Sequence, residues 1–166
     1  MSNVLVIFQS DTEHTEQLAL SVAVGAVEAQ ASIRLRRLAA PGAVEVAHKG
    51  YGGLQHADLL WADSIVVGLE STTPRTEELN DLLSLLNERG PGALTEKQGW
   101  TFGPEGLIEG RSEAQVFVES ALRSAGVAIL PMDILCGAGA KDLIGRMKEA
   151  GQLTGHLRTN PENQGR

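Results

Sequence analysis

The chain has 166 residues, 42% of them hydrophobic and 21% charged, which is typical of one globular domain that can bury a sizeable core. Its formal net charge of −7 argues against nucleic acid or an anionic membrane as a partner, because both require clustered basic residues. The single cysteine, Cys136, excludes an intramolecular disulfide, and no signal peptide or membrane span is recognised, so we expect a cytoplasmic protein.

Short apolar runs typical of strands alternate with longer stretches typical of helices. The predicted strands are Asn3–Phe8, Ala31–Leu38, Ser64–Gly68, Lys97–Gly103 and Val127–Leu130. The predicted helices are His14–Ala29, Leu54–Trp61, Thr76–Glu88, Glu113–Ser124 and Lys141–Leu157. The second strand carries the nearest approach to a basic cluster, which we interpret as solvated residues on its outer face: Arg34, Arg36 and Arg37.

This alternation predicts an α/β domain with a parallel sheet and right-handed crossovers, covering residues 1–158 and followed by a polar tail, 159–166. Two strand orders are compatible with it, that of the dinucleotide-binding fold and the order 2-1-3-4-5. Both place ligands beyond the carboxyl ends of the strands. Three loops at those ends are therefore the candidate site: the first loop, Ser10–Thr15, the second loop, Gly68–Arg75, and the third loop, Thr101–Arg111.

Four framework segments resemble the flavodoxins and, among flavodoxin-like proteins, most closely the WrbA-type NAD(P)H:quinone oxidoreductases. They are Val4–Thr15, Ala62–Gly68, Gly92–Lys97 and Gly126–Pro131. The resemblance implies a flavodoxin-like three-layer α/β/α fold whose five-stranded parallel sheet has the order 2-1-3-4-5. It further implies FMN as cofactor, NAD(P)H as electron donor, a quinone or flavin as acceptor, and homo-oligomers as a frequent state.

In such proteins the first loop surrounds the FMN phosphate at a helix N-terminus, where unpaired N–H groups and the helix dipole favour an anion. The resemblance therefore assigns cofactor binding to Ser10, Thr12, His14 and Thr15. Glu13 stands where the family has glycine, so a Cβ atom and a carboxylate enter the loop. Ser, Asp and Thr before a helix are also ordinary N-caps, so helix capping alone is an alternative.

The other two loops are expected to contact the flavin ring. The resemblance implies hydroxyl contacts from the second loop by Ser71, Thr72 and Thr73, and contacts from the third loop by Phe102 and Gly103. Trp100 is a further candidate neighbour of the ring, beside Phe102, and Tyr51 is a weaker one. As strand residues, Trp100 and Phe102 also fit an ordinary place in the core.

Other chemistry finds no support in the pattern. A Gly-x-Gly-x-x-Gly loop and a Walker lysine are lacking, the four histidines show no metal-ligand spacing, and no nucleophile is paired with a base. No catalytic side chain is predicted, because a bound flavin supplies the chemistry itself.

Two functions remain open. The first is an FMN-binding redox protein, for example an NAD(P)H-dependent quinone or flavin oxidoreductase. The second is a flavodoxin-like domain that has lost FMN and acts as a binding or assembly module. The acidity of the three loops favours the second, through Asp11, Glu13, Glu70, Glu105 and Glu109.

Overall fold

The computed structural model describes residues 2–9, 13–38, 52–106, 111–131 and 142–157. Its strands are β1 Asn3–Gln9, β2 Ser32–Leu38, β3 Ser64–Gly68, β4 Gln98–Phe102 and β5 Ala128–Ile129. Its helices are α1 Glu13–Glu28, α2 His56–Trp61, α3 Thr76–Arg89, α4 Glu113–Ser124 and α5 Leu143–His156. Each corresponds to a predicted element, and their ends differ from the predicted ones by about two residues or fewer, as expected of boundaries that fray.

All neighbouring strands are parallel, and their order is β2-β1-β3-β4-β5. This confirms the flavodoxin-like order and excludes the dinucleotide-binding one. The chain passes from the edge strand β2 across β1 to β3, so the order reverses between β1 and β3. The carboxyl ends of β1, β3 and β4 are adjacent, which brings the loops that follow them together at a switch point.

Each face of the sheet carries its own hydrophobic core, because successive strand residues point to opposite faces. Helices α2, α3 and α4 cover one face, and the strand residues buried there include Leu5, Ile7, Ile65 and Val67. Helices α1 and α5 cover the other face, where the buried strand residues include Val6, Val66, Trp100 and Phe102. The result is the predicted three-layer α/β/α arrangement.

Helices α1 and α5 pack with their backbones in contact. A Cβ atom added to Gly25 or to Gly151 would lie 2.0 Å from a carbonyl oxygen of the other helix, so both positions require glycine. Helix α5 also packs against the third loop, since a Cβ atom on Gly106 would lie 2.4 Å from Cδ1 of Leu143. One helix therefore supports both α1 and the loop that follows β4.

A charged cluster joins the edge strand β2 to α2. Asp58 accepts hydrogen bonds from Arg34 Nη1 at 3.0 Å, Arg36 Nε at 2.8 Å and the backbone N–H of Gln55 at 2.9 Å. The Arg34 guanidinium also lies 4.3 Å from the ring centroid of Trp61. Burial by itself raises the pKa of Asp58, but these three hydrogen bonds outweigh it and hold that pKa below its usual value. Arg34 and Arg36 are thus ion-paired and half-buried, which corrects their interpretation as simply solvated residues.

Candidate site at the carboxyl edge of the sheet

The three predicted loops meet at the carboxyl edge, but the structure describes them unequally. Ser10 and Thr12, two of the predicted phosphate contacts, lie outside the described residues, as does Tyr51. The second loop is described throughout, and the third loop is described except for residues 107–110.

The first turn of α1 carries the described part of the first loop. Glu13 begins the helix, has no positive φ and is exposed, so its Cβ atom causes no backbone strain and its carboxylate is in solvent. Thr15 is buried, whereas His14 is exposed. Nε2 of His14 lies 2.5 Å from the carbonyl oxygen of Pro104, and an N–H at Nε2 donates to that oxygen. His14 thereby links α1 to the third loop.

A buried glutamine ties the second loop to the end of β1. Gln9 accepts a hydrogen bond from the backbone N–H of Glu70 and donates one to Oε1 of Glu78, each at 2.7 Å. Arg75 Nη1 lies 3.4 Å from a carboxylate oxygen of Glu78 and 4.0 Å from one of Glu70. Arg75 is therefore engaged with acidic side chains of its own neighbourhood.

A cavity of about 440 Å³ opens between the second loop, the third loop and the start of α4. A hydrogen bond of 2.9 Å from the N–H of Ala114 to the carbonyl oxygen of Thr72 joins α4 to the second loop beside it. The volume falls within the range of small-molecule sites. The lining residues are Thr72, Thr73, Gly103, Pro104, Glu105, Gly106, Arg111, Ser112, Glu113 and Gln115.

The cavity brings together three of the predicted cofactor contacts, Thr72, Thr73 and Gly103. Ser71 is next to it in the chain but does not line it. Its Oγ accepts a hydrogen bond of 3.2 Å from the N–H of Thr73 and so shapes the turn of the second loop. Neither His14 nor Thr15 is part of the cavity wall.

Phe102 lies in the hydrophobic core below the edge. Its side chain is 0% exposed, and a Cβ atom on Gly68 would lie only 2.4 Å from its ring. Its ring centroid is 6.1 Å from that of Trp100, whose Nε1 donates a hydrogen bond to Thr154. The two aromatic residues of β4 thus pack between the sheet and the helices α1 and α5.

A buried carboxylate stands behind one wall of the cavity. Glu119 of α4 is 2% exposed and accepts hydrogen bonds from Thr101 Oγ1 at 2.7 Å and from Arg111 Nε at 2.8 Å. Gln115 Nε2 donates to the carbonyl and hydroxyl oxygens of Thr101. A buried carboxylate is costly unless it is paired, and these contacts supply the pairing. We call Glu119, Arg111, Thr101 and Gln115 the Glu119 cluster.

Sequence analysis alone does not single out Gln9, Gln115 or Glu119. A signal for the latter two exists in the helical period, because Gln115 and Glu119 share the buried face of α4 with Val118 and Leu122. Two polar residues on an apolar helical face need buried partners, and Thr101 in the adjacent strand is one. For Gln9 the signal is a polar residue that directly continues the apolar run of β1.

Within the described residues, no three His, Cys, Asp or Glu side chains are grouped as a metal ion would require. In the same part of the chain, no helix is long and apolar enough to cross a membrane.

Comparison with known proteins extends the geometric evidence. The NAD(P)H dehydrogenase (quinone) of Methylocella silvestris is 30% identical over 157 residues, which cover 87% of this chain and 78% of the relative. No protein-family model matches the chain.

Solved flavodoxins have the same fold. An archaeal flavodoxin superposes with a TM-score of 0.60 at 15% identity, over 92% of this chain and 96% of its own. The flavodoxin of Megasphaera elsdenii gives a TM-score of 0.59 at 18% identity, over 93% and 99% of the two chains. Sheet order, layer arrangement and sequence identity to the dehydrogenase agree, and the chain belongs to the flavodoxin-like family related to the WrbA-type NAD(P)H:quinone oxidoreductases.

Proposed function

We propose that this protein binds FMN at the carboxyl edge of its sheet and transfers electrons from NAD(P)H to a quinone or flavin acceptor, as a cytoplasmic flavoprotein. The observation that carries the proposal is the 30% identity, over 87% of the chain, to an NAD(P)H dehydrogenase (quinone).

The residues at the edge fit an FMN molecule. The ring end is assigned to the cavity, whose wall carries the hydroxyl residues Thr72 and Thr73 and, without a side chain, Gly103. Ser71 supports these contacts through the turn of the second loop, and Phe102 supports the wall from the core.

The phosphate end is assigned to the first loop, through Ser10, Thr12, His14 and Thr15. The start of a sixteen-residue helix offers unpaired N–H groups and a positive dipole end to an anion. Glu13 opposes phosphate binding only where its carboxylate approaches closely: about 4 kcal/mol at 4 Å and an effective dielectric of 20. Its exposed side chain is screened by solvent and by salt, which removes most of that cost.

When bound, the flavin supplies the hydride and electron transfer chemistry. The chain's own residues bind and orient it. The link from His14 to Pro104 holds the proposed phosphate end and the third loop at a fixed separation. The Gln9 contacts hold the second loop against β1, and the third loop directly follows β4. Both loops of the proposed ring site are therefore attached to the rigid sheet.

An absorption spectrum of the purified protein, followed by fluorescence titration of the apoprotein with FMN, tests the proposal. We expect flavin bands and saturable one-to-one binding, and reduction of the bound flavin by NADH or NADPH with reoxidation by a quinone. A folded protein that binds no FMN contradicts the proposal.

The second candidate, a binding or assembly module without FMN, is favoured by the exposed carboxylates of Glu13, Glu105 and Glu113 at the same edge. Together with the engagement of Arg75 by Glu70 and Glu78, they leave the edge acidic, which suits a cationic partner. A folded apoprotein that ignores FMN and binds a basic protein surface would support this candidate.

A further inference from the structure

Arg111 lines the cavity and is the only basic residue among the described residues that do so. Its Nε is bound to the buried carboxylate of Glu119 at 2.8 Å, and its side chain is 28% exposed on the cavity wall. Among the residues that the structure describes, none accepts a hydrogen bond from its Nη1 or Nη2 atoms. A guanidinium has five N–H groups, so four remain for a ligand.

The Glu119 cluster fixes the direction of those donors. Glu119 is held in turn by Thr101 Oγ1, and Thr101 accepts two hydrogen bonds from Gln115 Nε2. An arginine anchored in this way loses little conformational freedom when it binds a ligand. Glu119 has no access to the cavity itself, since it is 2% exposed and absent from the lining. Its action on a ligand is therefore one of positioning.

The charges around the cavity limit which ligand groups suit Arg111. The pair of Arg111 and Glu119 is neutral as a unit, and the other charged groups of the lining are the exposed carboxylates of Glu105 and Glu113. Glu105 and Glu113 would therefore repel an anionic group of a ligand in the cavity. A neutral carbonyl oxygen accepts hydrogen bonds from a guanidinium without that repulsion.

We propose that Arg111, held by Glu119, donates hydrogen bonds to a ring carbonyl oxygen of an uncharged conjugated ligand in this cavity, while Glu105 and Glu113 disfavour ligands with an anionic group there. The inference deepens the proposed function and rests on it for the identity of the ligand. Such a carbonyl belongs to the flavin ring and equally to a quinone acceptor, and the experiment separates the two sources.

The test compares Arg111→Gln and Arg111→Lys with Arg123→Gln, a matched control at the exposed far end of α4, away from the cavity. Three readouts are needed: the Kd for FMN, the midpoint potential of the bound flavin, and KM against kcat for an uncharged benzoquinone. Loss of a charge-assisted hydrogen bond corresponds to roughly a tenfold change in affinity or more.

If the carbonyl belongs to the flavin, Arg111→Gln raises the Kd for FMN about tenfold and lowers the midpoint potential, because a positive donor near the ring stabilises its reduced form. If it belongs to the acceptor, the same variant leaves FMN binding unchanged and raises the quinone KM about tenfold with kcat preserved. Arg111→Lys recovers part of either effect. If Arg111→Gln melts at the same temperature as the control variant and all three readouts are unchanged, the inference is overturned while the proposed function stands.

A measurement without FMN separates the inference from the proposed function. Titration of the apoprotein with the uncharged benzoquinone and with a sulfonated anthraquinone, followed by the Arg111 Nε resonance, reports on the cavity alone. We expect the uncharged probe to shift that resonance and the sulfonated probe to bind at least several-fold more weakly. The double variant Glu105→Gln with Glu113→Gln should reduce the difference in affinity between the uncharged and the sulfonated probe. A resonance that neither probe moves, or a preference for the sulfonated probe, overturns the inference.

Discussion

Asp58 and Glu119 are buried carboxylates that pair with arginine, and they differ in how many hydrogen-bond donors of those arginines are already used. Asp58, on α2, binds Arg34, Arg36 and a backbone N–H, and Arg34 also stacks on an aromatic ring. Glu119, on α4, binds one arginine, Arg111, which lines the cavity. We call the first group, Asp58 with Arg34 and Arg36, the Asp58 cluster.

The difference separates a structural role from a binding role. The Asp58 cluster lies at the flank of the sheet, where β2 meets α2, and its charges bind one another. The Glu119 cluster lies at the carboxyl edge, where ligands of this fold bind, and it carries donors that its own residues do not use. Burial and ion pairing are alike in both, so neither property alone identifies a site.

The largest expected effect is on stability, at the Asp58 cluster. Asp58→Ala leaves two half-buried guanidinium groups and the N–H of Gln55 without their acceptor. We expect a loss of about 3 kcal/mol in the free energy of unfolding, at the low end for a buried pair because both arginines are partly exposed. Urea denaturation measures it. FMN affinity should be unchanged, and a tenfold loss of affinity would contradict a purely structural role for the Asp58 cluster.

Glu119→Gln should affect both stability and ligand affinity, by amounts of similar size. The amide still accepts hydrogen bonds from Arg111 and Thr101 but no longer neutralises the guanidinium. We expect a stability loss of about 1–2 kcal/mol and a several-fold change in the affinity of the ligand that Arg111 binds. Paired urea denaturation and FMN or quinone titrations measure the two. A stability loss with all ligand constants unchanged would assign Glu119 a purely structural role.

The pH dependence of stability sharpens the contrast at Asp58. The pKa of Asp58 is lowered in the folded protein, so its contribution is fully present above the ordinary value near 4 and is lost as the pH falls through the lower folded value. The difference in unfolding free energy between the native chain and Asp58→Asn should therefore shrink below about pH 4. Denaturation series from pH 6 to pH 2 measure it, and a difference that grows with acid would contradict the assignment.

The smallest expected effect is that of Thr101→Val, which keeps the shape of the side chain but removes the hydroxyl group. It deletes one donor to Glu119 and one acceptor of Gln115, for a cost of about 1 kcal/mol. Thermal unfolding measures it. Because Arg111 keeps its bond to Glu119, ligand affinity should change less than in Glu119→Gln; a larger change would show that Thr101 is the main positioning group.

The sequence predicts the elements and their order well, because apolar periodicity and the loop segments of the flavodoxin-like family are local features. It predicts Thr72, Thr73 and Gly103 at one edge for the same reason. The sequence does not predict the role of Glu119, because a glutamate in an amphipathic helix is ordinarily solvated. Its hydrogen-bond partner Thr101 comes into reach only when α4 packs on β4. The pairing of Arg34 with Asp58 is likewise a tertiary contact between β2 and α2.

Helix α5 gives the candidate site a common foundation. It touches the backbone of α1 at Gly25 and supports the third loop at Gly106 through Leu143, so the two sides of the edge rest on one rigid body. The separation between α1 and the cavity is consequently maintained in part through α5. Leu143 lies outside the cavity lining, so a change in its volume would reach the third loop at Gly106 without replacing a residue of the cavity wall.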